Sequence, residues 1–157
     1  RTASGVRGIR LADEFTDYVV GMITVENREK EILVVSEKGY GKRSDIEDYR
    51  ITNRGGKGVR TINITGKTGS LIALKDVTDT DDLMIITQYG NILRSRISAL
   101  RVMGRATQGV RLINLREGDI IASVAIVSVN EDEEVSDPED ISKNIEISEE
   151  NGKEFED

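Results

Sequence analysis

The sequence predicts an all-β fold, a propeller-like array of four-stranded blades, on two observations. An eleven-residue segment recurs three times without gaps, as RTASGVRGIRL at 1–11, RGGKGVRTINI at 54–64 and RATQGVRLINL at 105–115, at spacings of 53 and 51 residues. Between its copies, short apolar runs alternate with turn residues, and no stretch keeps apolar side chains at i, i+3, i+4 and i+7 through three helical turns.

Each copy carries Arg at its first position, Gly-Val-Arg at the fifth to seventh, Ile at the ninth and Leu or Ile at the eleventh. The match continues upstream, where residues 33–62 align with 84–113 at an offset of 51 and ten of the thirty positions are identical, among them Gly39/Gly90, Arg43/Arg94, Ser44/Ser95 and Arg50/Arg101. In the first period, strand-like runs fall at 6–11, 18–25, 31–36 and 40–46, bounded by Gly, Asn, Asp and Lys clusters that supply turn geometry. Period-two alternation puts Ile9, Leu11, Ile62, Ile64, Ile113 and Leu115 on one face of the repeated strand, where they are expected to pack blade against blade. Gly5, Gly58 and Gly109 open that strand, at a point that suits a positive φ or a close backbone approach. Two full periods and the opening strands of a third fit in the chain. Since repeat arrays are stabilised by their neighbours, the sequence reads as a partial array cut from a longer one, with a terminal edge left open or covered by self-association.

The residue inventory narrows the chemistry. The 157 residues include no Cys and no His, so disulfides, thiolate or imidazole metal sites, Cys nucleophiles and Ser-His-Asp triads are excluded. No apolar run approaches the ~18 residues that span a bilayer, and no charged and then apolar leader follows Arg1, so a cytoplasmic protein with no membrane partner is expected. The net charge of −7 divides unevenly. Residues 1–129 hold 20 basic against 16 acidic side chains, a net of +4; residues 130–157 hold 2 against 13, a net of −11. The expected organisation is therefore a body of β blades over 1–129 and an acidic tail over 130–157, which its charge and few apolar residues mark as disordered. Two readings of such a tail stand: a solvated, solubilising terminus, or an acidic segment that competes with a polyanion for the body.

Several motifs are decoys. Gly66-Lys67-Thr68 resembles the end of a phosphate-binding loop, but Thr61 stands where that loop needs Gly, and no helix pattern follows. Asp79, Asp81 and Asp82 lack the Gly and Glu of a calcium loop and read as a solvated turn. Tyr18, Tyr40, Tyr49 and Tyr89 read as packing residues with a hydroxyl at the surface. The basic residues stand out instead. Arg50, Arg54, Lys57 and Arg60 surround Gly55, Gly56 and Gly58, whose uncovered amides beside cations suit phosphate oxygens. The next turn keeps Arg101, Arg105 and Arg111, and Lys42, Arg43, Arg94 and Arg96 add charge on a second strand of each blade. Some of these arginines have a structural alternative in tying blades together, Arg60 and Arg111 above all. A cationic turn every 51 residues fits a polymeric ligand of repeating negative charge.

On these residues the chain resembles the C-terminal domain of the DNA gyrase A subunit, a β-pinwheel of repeated blades, and the resemblance covers essentially all of residues 1–129. The family's hallmark box reads Q-R-R-G-G-K-G; residues 52–58 read TNRGGKG, matching at Arg54, Gly55, Gly56, Lys57 and Gly58 and departing at Thr52 and Asn53. The resemblance implies double-stranded DNA wrapped on the basic rim in support of ATP-dependent negative supercoiling by a type II topoisomerase. It implies no catalytic residue, cofactor or metal in this chain: ATP and Mg belong to the rest of an assembly of two A and two B subunits, in a bacterial, nucleoid-associated setting. The corresponding domain of topoisomerase IV and a propeller-type protein-interaction module are the alternatives.

Overall fold

The computed structural model describes residues 4–128 apart from Glu14 and Asn27. The expected boundary after residue 129 and the acidic segment 130–157 lie outside the described residues. Strands β1 (Glu31–Ser36) and β2 (Tyr40–Asp45) form a hairpin, and β4 (Asp81–Thr87) and β5 (Ile92–Arg96) repeat it 51 residues later. The repeat extends to single hydrogen bonds. The Gly39 amide donates to the Ser36 carbonyl at 3.1 Å, and that of Gly90 to Thr87 at 3.0 Å. A short 3-10 turn follows each hairpin, at Ile46–Asp48 and at Ile97–Ala99.

The remaining strands show how the periods interlock. β3 (Leu71–Val77) pairs antiparallel with β1, and β6 (Val110–Arg111) pairs antiparallel with β2, giving a sheet in the order β3-β1-β2-β6. β7 (Ile121–Ser128) pairs with β4 as β3 does with β1, giving a second sheet in the order β5-β4-β7. The first blade is thus four-stranded as expected, but its strands come from three successive periods and not from one. Exchange of this kind makes each blade depend on its neighbours through backbone ladders as well as through side-chain packing.

Two expected strands are not described as such. Residues 6–11 contribute one parallel bridge, Ile9 to Gly56, and residues 18–25 form no ladder. The physical cause lies in the exchange: β3 and β7, the counterparts of 18–25, each pair with the hairpin of the period before, and no described hairpin precedes residue 18. The expected core face divides in the same way. Ile62 is buried and Ile113 and Leu115 pack against the main core, while Ile9 and Ile64 are exposed.

The core lies between the two sheets. Leu33 and Val35 of β1 meet Val77, Leu83, Ile85, Ile97, Ile121 and Val124, while the alternate residues Ile32 and Val34 turn to Ile62 on the other face. β1 is therefore buried on both faces and reads as an unbroken apolar run, whereas β4 alternates between buried and half-buried positions.

Candidate nucleic-acid interface

The cationic turn at 50–60 is fixed by backbone bonds to the repeated segment before it. The Gly55 amide donates to the Gly8 carbonyl at 2.8 Å, and the Arg10 amide to the Gly56 carbonyl at 2.8 Å. Gly55 and Gly58 sit at φ +74° and +76°, so the tight path of the turn depends on residues without a Cβ. Arg50, Arg54, Lys57 and Arg60 are exposed, and none forms an ion pair among the described residues.

The second turn repeats the anchor. The Asn63 amide donates to the Thr107 carbonyl at 3.1 Å, the counterpart of the Arg10 to Gly56 bond. Its path differs locally, because Ala106 replaces Gly55 and, among the described residues, none other than glycine takes a positive φ. Gly109, at φ +78°, approaches the Gly41 backbone so closely that a Cβ would overlap the Gly41 carbonyl. Arg101 is exposed; half-buried Arg105 donates from Nη1 to the Arg60 carbonyl at 3.0 Å, which brings the second turn against the 54–64 copy of the repeated segment.

Lys42 and Arg43 correct the expected rim. Lys42 is fully buried, with its ammonium donating to the carbonyls of Gly104 and Arg105. Desolvation, partly opposed by Asp48 and reinforced by Arg105, pulls its pKa down to about 8. The Arg43 side chain is 8% exposed; it pairs with Glu31 at 2.9 Å and with Asp79, and its Nε donates to the Leu100 carbonyl. Both residues hold the segment after β5 against the β2 edge and are withdrawn from any ligand. Arg94, the counterpart of Arg43, stays 55% exposed and pairs with Asp82 at 2.7 Å, while Arg96 is exposed without an ion pair among the described residues.

The supposed acidic turn is also structural. Asp79 and Asp82 serve Arg43 and Arg94, and Asp81 accepts from the Thr78 amide and hydroxyl at 2.7 and 2.9 Å. Among the described residues, therefore, the structure gathers Arg50, Arg54 and Lys57 on one turn, sets Arg105 and Arg101 on the next, and leaves Arg96 on the β5 edge. Sequence reasoning named Arg111, Lys67 and Tyr40 separately and did not join them: Arg111 and Lys67 meet at Tyr40, whose phenol is held below its ordinary range chiefly by a hydrogen bond from Arg111, and Lys38 is bonded to the loop that carries Lys67. No local sequence signal joins them, because Tyr40 meets Arg111 only through the β2–β6 pairing across periods.

A partial β-propeller array bearing one glycine-rich or arginine-rich turn per period defines the class of this chain. The family described as "DNA gyrase C-terminal domain, beta-propeller" matches residues 1–26, 30–78 and 81–128, and the chain belongs to that family. It is 46% identical over 138 residues to the DNA gyrase A subunit of Staphylococcus aureus (strain MRSA252), covering 87% of this chain and 15% of the relative. It is 44% identical over 134 residues to the DNA gyrase A subunit of Chlamydia pneumoniae, covering 85% of this chain and 16% of that protein. The chain thus spans about a sixth of the length of these relatives. Among solved structures, a DNA gyrase A C-terminal domain superposes with a TM-score of 0.59 at 26% identity over 65% of this chain and 34% of that one. The C-terminal domain of a DNA topoisomerase IV shares the fold, with a TM-score of 0.72 at 20% identity over 80% of this chain and 38% of the other.

Proposed function

We propose that this chain binds the backbone of double-stranded DNA and helps wrap it, as part of the C-terminal domain of a gyrase A subunit. The observation that carries this reading is the pair of equivalently anchored turns whose exposed Arg50, Arg54, Lys57 and Arg101 have no acidic partner among the described residues. Wrapping needs little base contact. Bending a few tens of base pairs costs about 1–6 kcal/mol by elastic estimates, and counterion release from neutralised phosphates offsets that cost. Arginines at a 51-residue repeat meet that requirement, with Arg50 and its counterpart Arg101 serving successive stretches of backbone.

In this reading the complete enzyme, formed with the rest of the gyrase A polypeptide and with its B partner, carries out ATP-dependent negative supercoiling in the bacterial cytoplasm. The chemistry, ATP and magnesium belong to those other parts, and this chain supplies only the DNA-holding surface. The identities of 44–46% to gyrase A subunits favour gyrase over topoisomerase IV.

Fluorescence anisotropy with a labelled duplex of a few tens of base pairs, read at several salt concentrations, tests the proposal. Arg54→Ala combined with Lys57→Ala is expected to weaken binding and to flatten the salt dependence by about 0.9 in the log–log slope for each phosphate no longer neutralised. Unchanged affinity and slope in that variant would overturn the assignment of the turn.

A further inference from the structure

We infer that Lys67 and Arg111, which meet at Tyr40, together with Lys38 on the loop that carries Lys67, form a second contact for DNA phosphates on the first blade, distinct from the glycine turn; the inference rests on the DNA-binding reading above. Tyr40 opens β2 and is buried, and Arg111 of β6 lies opposite it in the ladder. The guanidinium donates from Nη2 and Nε to the phenol oxygen at 2.9 and 3.3 Å and from Nη1 to Asn114 Oδ1 at 3.1 Å. Lys67 sets its ammonium 5.4 Å from the centre of the same ring, and the Arg111 guanidinium lies 5.5 Å from it. Lys38 donates to the Gly66 carbonyl at 2.6 Å, one residue from Lys67.

The carrier of Lys67 is a built loop. The Thr65 amide donates to Thr68 Oγ1 at 2.9 Å, the Gly69 amide to the Thr65 carbonyl at 3.0 Å, and the Lys38 amide to the Thr68 carbonyl at 3.2 Å. Three cations are thereby oriented by a phenol, an amide, a carbonyl and a π face, all of them neutral. The ion pairs among the described residues involve Lys30, Arg43 and Arg94 and none of these three. Glu37, which adjoins the loop, folds against Gly69 without pairing. Cations held by neutral partners keep their charge unbalanced, and a phosphodiester brought between them relieves their mutual repulsion.

The cluster occurs once. Asn91 stands at the position of Tyr40 in the next period, and the loop reads Asp13-Glu14-Phe15 in the first period and Arg116-Glu117-Gly118-Asp119 in the third. A site that occurs once, added to turns that recur, gives this blade a phosphate contact that the neighbouring period lacks.

The test uses the full chain and the same labelled duplex over a salt series. Lys38→Ala with Lys67→Ala is expected to lower the log–log salt slope by up to about 1.8, two contacts at about 0.9 each, while its circular dichroism and melting temperature stay those of the parent. Lys30→Ala with Lys75→Ala makes the same change in net charge elsewhere and is expected to move the slope less. A Lys38/Lys67 variant that binds like the parent, while the Arg54/Lys57 variant is weakened, overturns this site and leaves the DNA-binding reading standing. An equal loss in the Lys30/Lys75 variant reduces the effect to net charge and also overturns it. Absence of binding by the parent chain at low salt removes both.

Discussion

Lys42 and Arg43 are adjacent on β2, so a simple alternation would point one of them to solvent. Both are buried, because segment 100–105 folds back over the β2 edge: Lys42 caps two of its carbonyls, Arg43 a third, and the Ser44 hydroxyl donates to Met103 at 2.7 Å. That covering lies some sixty residues away in the chain, so nothing local in the sequence distinguishes these two cations from Arg50 or Arg54. The burial has a titration consequence. Below about pH 8 both the folded and the unfolded chain carry the Lys42 charge, and the desolvation of that charge opposes folding in full. As pH rises from about 8 towards the ordinary lysine range near 10.5, the folded form releases its proton first and the penalty is relieved. Stability is therefore expected to gain from this residue across that window. Side-chain nitrogen NMR should place one lysine midpoint near pH 8, and its disappearance in Lys42→Met assigns it; a Lys42 midpoint at the ordinary value would contradict the account of its burial.

The element scale shows which features of the repeat were legible and which were not. The hairpins β1-β2 and β4-β5, the 51-residue offset and the positions of Gly58 and Gly109 follow from pattern, because strand alternation and turn chemistry are local. The exchange of strands between periods does not, since β3 on β1 and β6 on β2 are pairings across roughly forty and seventy residues. The counterparts Arg43 and Arg94 measure what the exchange does. Each sits at the same place in its hairpin and each meets an acidic residue of the neighbouring strand, Glu31 or Asp82. A later segment covers only Arg43 among the described residues. Arg43→Ala removes a buried cation and leaves the Leu100 carbonyl and the half-buried Glu31 without it, and is expected to cost about 2–3 kcal/mol, the upper part of the range for desolvated polar groups left unsatisfied. Arg94→Ala removes a cation that is itself more than half exposed, so that solvent can reach the Asp82 carboxylate it leaves, and is expected to cost less, about 1 kcal/mol. Urea denaturation of the two variants checks the contrast; equal costs would mean that the covering of β2 contributes little to the first blade.

At the scale of the whole molecule, the repeat supplies its own template for reading the leading segment. In the first blade the hairpin turn at 37–39 is seated between two neighbours: the Glu37 amide donates to the Ser70 carbonyl at 2.9 Å, and the Leu112 amide to the Gly39 carbonyl at 2.8 Å. One period earlier, Asp17 stands for Ser70 and Thr61 for Leu112. Between them lies an open groove of about 550 Å³ lined by Asp17, Gly58, Val59, Arg60, Thr61 and Ile62 among others. The groove has the place of a blade hairpin without one, and the segment beside it exposes Tyr18, Val19 and Met22, residues whose counterparts in β3 are half-buried. Order should therefore fall off from β1 and β4 towards the leading segment. In hydrogen exchange, the amides of β1 and β4 are expected to open only with global unfolding, and those of Leu112 and β3 to be well protected. Amides of residues 18–25 and of Thr61 are expected to exchange with opening free energies near zero. Protection at Thr61 equal to that at Leu112 would show that the groove is already filled, by another copy of the chain or by a segment of this one, and a concentration series would separate the two, since only the first depends on protein concentration.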